Sequence, residues 1–165
     1  MKKLNPKEAA TDAGCRKFQI KINGPKKIVE FTCLVHHSAN QSQLRLDPKE
    51  FYARWSAAKK APACPDYELE LTGLEKWSPA EKEKVHLHES KDGKWFVCYT
   101  KRIPTLKAAE NVFKMWAAGA IYTMWTGEDF GHPFNRFNEN FADFLKFMSQ
   151  EHNIDIREFK SEMPA

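Results

Sequence analysis

A chain of 165 residues with 42% hydrophobic content, five Trp, four Tyr and twelve Phe is long enough to bury a core and too apolar to be generally disordered. Its 26 basic and 22 acidic residues leave a net charge of +4, which excludes a polybasic character but permits nucleic-acid or anionic-surface binding. No apolar run approaches the roughly 20 residues that span a bilayer, so the expectation is one soluble, cytoplasmic α+β domain over 1–165, with no membrane partner and with 1–14 loosely held.

In chain order, residues 16–22 alternate, with Phe18, Ile20 and Ile22 on one face and Lys17, Gln19 and Lys21 on the other. That is the pattern of a half-buried strand. Asn23-Gly24 supplies a tight turn, and 28–35 return as a second strand. A turn centred on that pair sets Val29, Phe31 and Cys33 on the Phe18 face. Residues 36–43 read as a polar loop and 44–46 as a short strand. Asp47 caps a helix over 48–60, with Pro48 at its first position and Phe51, Tyr52 and Trp55 along one side. Tyr67, Leu69 and Leu71 alternate with Glu68 and Glu70 in a third strand. Ser78-Pro79-Ala80-Glu81 has capping-box spacing, predicting a single helical turn before the next strand. Residues 85–90 and 95–101 flank Lys91-Asp92-Gly93-Lys94 and give the strongest hairpin signal in the chain.

Two long helices follow, over 105–126 and 134–150, separated by Gly127-Glu128-Asp129-Phe130-Gly131-His132-Pro133. Eight of the twelve phenylalanines lie at or beyond Phe113. Phe130, Phe134, Phe137, Phe141, Phe144 and Phe147, with Met148, recur at the spacing of one helical face. Such a row must be covered, because each buried Phe contributes roughly 1.5–3 kcal/mol and an exposed row would aggregate. Ala117 and Gly119 on the first long helix permit close approach, and the apolar sheet face needs a cover of that size. The expected fold is therefore a twisted antiparallel sheet of about five strands covered by a C-terminal two-helix hairpin. Two β-β-β-α halves are one way to build it, and a ferredoxin-like order is the other. Residues 153–159 are too short to assign.

The hairpin is the segment where chemistry can be read. A two-residue turn at Asp92-Gly93 pairs His88 with Val97, Leu87 with Cys98 and His86 with Tyr99. Lys84, His86, His88, Trp95, Tyr99 and Lys101 then share one face, with Lys94 and Arg102 beside it. Aromatic rings, imidazoles and flanking cations together stack unpaired bases and hold phosphates. The same register turns Cys98 away from the histidines and disfavours a Cys-His nucleophile. Cys15, Cys33, Cys64 and Cys98 form no C-x-x-C pair and read as reduced, buried thiols. His86-x-His88 lacks the further ligands that zinc demands, so no metal or cofactor is assigned. Glu68 and Glu70 read as solvated strand charges. The 127–133 connector lacks phosphate-loop spacing and reads as a helix-helix turn.

Three functional readings result. The first is a nucleic-acid-binding accessory protein that contacts single-stranded DNA or RNA through Lys84, His86, His88, Lys94, Trp95, Tyr99, Lys101 and Arg102. The second is a protein-interaction module, such as an inhibitor, adaptor or assembly subunit, anchored by Trp116, Tyr122 and Trp125 on the first long helix. The third is an enzyme with a dispersed site drawn from the histidines at 36, 37, 86, 88 and 132. No constellation fixes catalytic residues for that reading.

Overall fold

The computed structural model describes residues 16–37, 67–137 and 140–162. The expected strand at 44–46 and helix at 48–60, the N-terminal stretch, Cys15 and Cys64 lie outside the described residues.

The first strands form where the alternation predicts them. β1 (Arg16–Asn23) pairs antiparallel with β2 (Ile28–His37), with Phe18 opposite Cys33, Ile20 opposite Phe31 and Ile22 opposite Val29. The connection is a four-residue loop, Gly24 to Lys27, across which the Gly24 N–H donates to the Lys27 carbonyl at 2.9 Å. A two-residue turn at Asn23-Gly24 would instead have set Ile22 opposite Pro25. The displacement is an even number of residues, so the apolar faces stay aligned even though the register differs. Gly24 is needed at this bend because the Trp125 indole nitrogen lies only 2.7 Å from where a Cβ would be.

β3 (Tyr67–Thr72) lies beside β2, with Leu71 opposite Cys33 and Leu69 opposite Val35. α1 (Pro79–Lys84) is opened by the capping box: the Ser78 hydroxyl accepts from the Glu81 N–H, and the Glu81 carboxylate accepts from the Ser78 N–H. β4 (Leu87–Glu89) and β5 (Trp95–Val97) make the second hairpin. α2 (Leu106–Thr126) starts at the Thr105 cap and ends at Gly127, whose φ of 77° closes the helix. α3 (Gly131–Asn135), α4 (Phe141–His152) and β6 (Asp155–Glu162) complete the order. Among the described residues, six strands form one antiparallel sheet in the order β4-β5-β3-β2-β1-β6. β2 and β3 are direct neighbours, whereas a ferredoxin-like order with its first two strands starting at Ile28 and Tyr67 would set another strand between them.

Two expectations about the C-terminal part are corrected. The helix expected over 134–150 is two helices, because Asn140 caps a new start, its side chain accepting from the Asp143 N–H at 3.1 Å. The chain also does not end on the helical hairpin. Asn153, with φ 56°, terminates α4 in the left-handed region, and the chain returns to the sheet beside β1 as a sixth strand. Its register on β1 shifts between Lys21 and Ile22, leaving Arg157 as an extra residue. Ile156 and Phe159 consequently share the core face although they are three residues apart. That spacing hides the strand from a period-two reading.

The core lies between the sheet and α2. Phe18, Ile20, Ile22, Phe31, Cys33, Val35, Leu69 and Leu71 meet Ala109, Val112, Phe113, Trp116, Ala117, Ala120 and Ile121. α4 packs mainly on α2 and sends Phe144 and Met148 into the same core. The phenylalanine row divides in two. Phe130 and Phe144 are buried, whereas Phe134, Phe137, Phe141 and Phe147 are half-buried and pack against one another, with ring centroids 5.3 Å apart for Phe137 and Phe147. Arg136 lies over both of those rings. Gly119 receives Phe130, as its small size suggests: a Cβ there would sit 2.3 Å from the ring. No described helix is long and apolar enough to cross a membrane.

Candidate functional site

The hairpin face derived from a two-residue turn is not the face the chain makes. Leu87 pairs with Val97, His88 with Phe96 and Glu89 with Trp95. Ser90 therefore faces Lys94, and the loop is the three residues Lys91, Asp92 and Gly93. The Ser90 N–H donates to the Lys94 carbonyl at 2.8 Å, and the Ser90 hydroxyl accepts from the Lys94 N–H at 3.2 Å. Gly93, at φ 79°, takes the left-handed position; Asp92 does not, so the two-residue turn that needs both is not formed. One residue of slip turns every side chain of one strand relative to the other.

The consequences for the predicted nucleic-acid residues are direct. Trp95 lies on the core side and is 8% exposed, with the Lys82 ammonium 5.0 Å from its ring centroid. His88 points to the opposite face, where its ring stacks near Phe96 with centroids 6.1 Å apart. His86 belongs to neither face. It follows the C-cap of α1 at φ 61°, and its Nε2 lies 2.6 Å from the Asp129 carboxylate. The left-handed backbone is the usual way out of a helix, here taken by a residue with a Cβ. Tyr99 is half-buried against the core, while Lys84, Lys94, Lys101 and Arg102 are exposed. The expected shared platform of Trp95, Tyr99, His86 and His88 is thus corrected. Cys98 is also corrected: it is exposed, and its N–H donates to the His86 carbonyl at 2.8 Å.

The three helix anchors separate as well. Trp116 is fully buried, T-shaped against Phe31 at 4.9 Å, and its indole N–H donates to the Val85 carbonyl at 2.8 Å. Tyr122 is buried, and its hydroxyl donates to Glu128 at 2.7 Å. That contact, with desolvation second, raises the Tyr122 phenol above its ordinary value. Both rings complete the core instead of waiting for a partner. Trp125 differs, being half-buried over Gly24 with the Lys26 ammonium 5.1 Å from its ring centroid. Its indole N–H has no hydrogen-bond partner among the described residues.

Nothing in the sequence marks what gathers around Trp125. The large hydrophobic side chains that the described residues leave exposed are Ile28, at 59%, and Met124, at 48%. Ile28 opens β2 directly after the Gly24–Lys27 loop, and Met124 precedes Trp125 in the last turn of α2, so both lie at the end of the molecule where Trp125 meets that loop. Pro25, Lys26 and Lys27 are exposed beside them. Two exposed residues in separate elements give no periodic signal, so only the tertiary structure shows that both stay uncovered at this end, Ile28 on the sheet face opposite to the core-facing Val29.

Two titratable pairs lie elsewhere, His36 with Glu70 and His86 with Asp129. On the sheet face away from the helices, His36 Nε2 lies 2.8 Å from Glu70. At Asp129, desolvation pushes the carboxyl upward but is outweighed by hydrogen bonds from His86 and the Gly131 N–H and by the charges of His86 and His132. The carboxyl therefore sits below its ordinary 3.8. No group of three His, Cys, Asp or Glu side chains among the described residues is arranged to hold a metal ion. Comparison with family models, with curated proteins and with solved structures gives no match.

Proposed function

We propose that the chain is a protein-interaction module that engages its partner at the end where α2 meets the β1–β2 loop. The observation supporting this reading is Trp125, half-buried with the Lys26 ammonium 5.1 Å from its ring centroid, at the end of the molecule where Ile28 and Met124 are the exposed large apolar side chains among the described residues. An apolar centre with a charged rim is the ordinary anatomy of a protein interface, and a half-buried Trp is a favoured anchor. The complementary partner surface is apolar with acidic neighbours.

The test is a comparison of partner capture by wild-type protein, by the double variant Ile28→Ser with Met124→Ser, and by Trp125→Ala. A stoichiometric protein partner should be lost by the double variant, whose exposed positions leave the core intact, and should weaken by roughly 2 kcal/mol or more in Trp125→Ala. Undiminished capture by both would remove this surface. The nucleic-acid reading is decided alongside it. Single-strand binding that falls steeply with salt and is abolished by charge reversal at Lys84, Lys94 and Lys101 would move the function to the hairpin side.

A further inference from the structure

We propose that β6 is a strand-addition edge and that its occupant is a second copy of this chain, its β6 lying antiparallel to the first with the two-fold axis at Phe159. No residue of the Trp125 surface takes part in this pairing.

The sheet has two edges among the described residues, and they are built differently. β4 spans three residues, whereas β6 spans eight and pairs only with β1. A long edge strand offers a row of backbone N–H and C=O groups on its outer side, a template for another strand. Short edges avoid that hazard; β6 instead carries the bulge at Arg157 and alternating charges, and past the bulge Glu158 to Glu162 run as regular strand. Its exposed charges do not block pairing in general but select among registers.

Opposed residues of antiparallel strands point to the same face, so only every second register keeps Phe159 on the helix side. Glu158 and Lys160 lie on the other face, with side chains 42% and 60% exposed. With the axis at Phe159, Glu158 stands opposite Lys160 of the second copy, and by symmetry this pair occurs twice. Moving the axis to residue 158 sets Glu158 against itself. Moving it to residue 160 sets Lys160 against itself and Glu158 against Glu162. Like charges directly opposite destabilise a strand pair, so among axes at residues 158 to 160 the one at Phe159 is the one that the alternating signs admit; an axis at residue 161 also opposes Lys160 to Glu162 but sets Phe159 beyond the end of the partner strand.

Within one chain Glu158 already lies 3.7 Å from Lys21 and 3.2 Å from Lys160. A cation from the second copy adds to an existing cross-strand row. On the helix side, the half-buried Phe159 ring lies 5.2 Å from the Phe18 ring, with the Lys114 ammonium 4.8 Å from its centroid. Self-pairing brings the two Phe159 rings together and covers what each leaves exposed. A cavity of about 480 Å³, lined by Lys114, Leu145, Ser149, Ile154 and Ile156 among others, borders the same strand.

Sedimentation equilibrium over a wide concentration range, on full-length protein, tests the proposal. Wild type should dimerise. Glu158→Lys and Lys160→Glu should each turn two attractive pairs repulsive and weaken self-association on the order of tenfold. Mixing these two variants should restore a dimer, because the lysine introduced at position 158 of one chain then meets the glutamate introduced at position 160 of the other. The double reversal in a single chain should restore it too. Circular dichroism checks that each variant is folded. A wild type that stays monomeric overturns the proposal. So does a dimer indifferent to both reversals, or a mixture that fails to recover association. None of these results bears on the Trp125 surface.

Discussion

Gly119 shows how much one side chain can decide. It sits in the middle of α2, where Ala would ordinarily be preferred by about 1 kcal/mol, yet a Cβ would lie 2.3 Å from the Phe130 ring. Phe130 is 4% exposed and cannot swing into solvent without losing its burial. Gly119→Ala is therefore expected to destabilise the protein by roughly 1–3 kcal/mol despite its better helix propensity, measured as a lower denaturation midpoint at unchanged slope. The role of Gly119 is legible in the sequence as a small residue on a long apolar helix. That of Trp116 is not, because its indole N–H is satisfied by the Val85 carbonyl, from a segment 31 residues away. A tryptophan on the flank of a predicted helix looks the same whether a distant carbonyl awaits it or not. Trp125 makes the complementary case: it lies half-buried over Gly24, where any larger residue would collide with the indole.

Among the elements, the hairpin β4–β5 separates existence from register. Alternation around Asp92-Gly93 is enough to show that a hairpin forms, but its register depends on whether Asp92 adopts a positive φ. The Ser90 hydroxyl, holding the Lys94 N–H, favours the three-residue loop, and the side chains of one strand turn over relative to the two-residue form. A Cβ on Gly93 would meet nothing within 4 Å, so the cost of Gly93→Ala is conformational alone. A loss of about 1 kcal/mol is expected from the φ of 79°, with the spectra of the core unchanged. An unaltered midpoint would mean that the loop does not hold the register. β6 escapes sequence reading for a different reason, since the bulge at Arg157 spaces its core residues by three, and a period-two search does not recognise such a strand.

At the scale of the whole molecule, the hairpin side and the helical side are tied by His86 and Asp129, 2.6 Å apart, and by Trp116 and Val85. The Asp129 carboxyl sits below its ordinary 3.8 in the folded chain, so its ionised form favours folding. That contribution is present above pH 3.8 and is lost as pH falls through the lower folded value. Thermal midpoints of wild type and Asp129→Asn should differ above pH 3.8 and converge below it; parallel profiles throughout would show that the clasp has no electrostatic part. Because the Asp129 side chain is 63% exposed, solvent keeps the gap small. Sequence by itself determined the α+β class, the apolar faces of β1, β2 and β3, the capped start of α1 and the span of α2, since each rests on local periodicity or on a cap within four residues. Only the tertiary structure decided the hairpin register, the sixth strand, which aromatics are core and which residues share the exposed end, because those depend on contacts between segments far apart in the chain. The long helix α2 stands where its pattern put it, and what surrounds it was settled by the loops that bring the strands to its face.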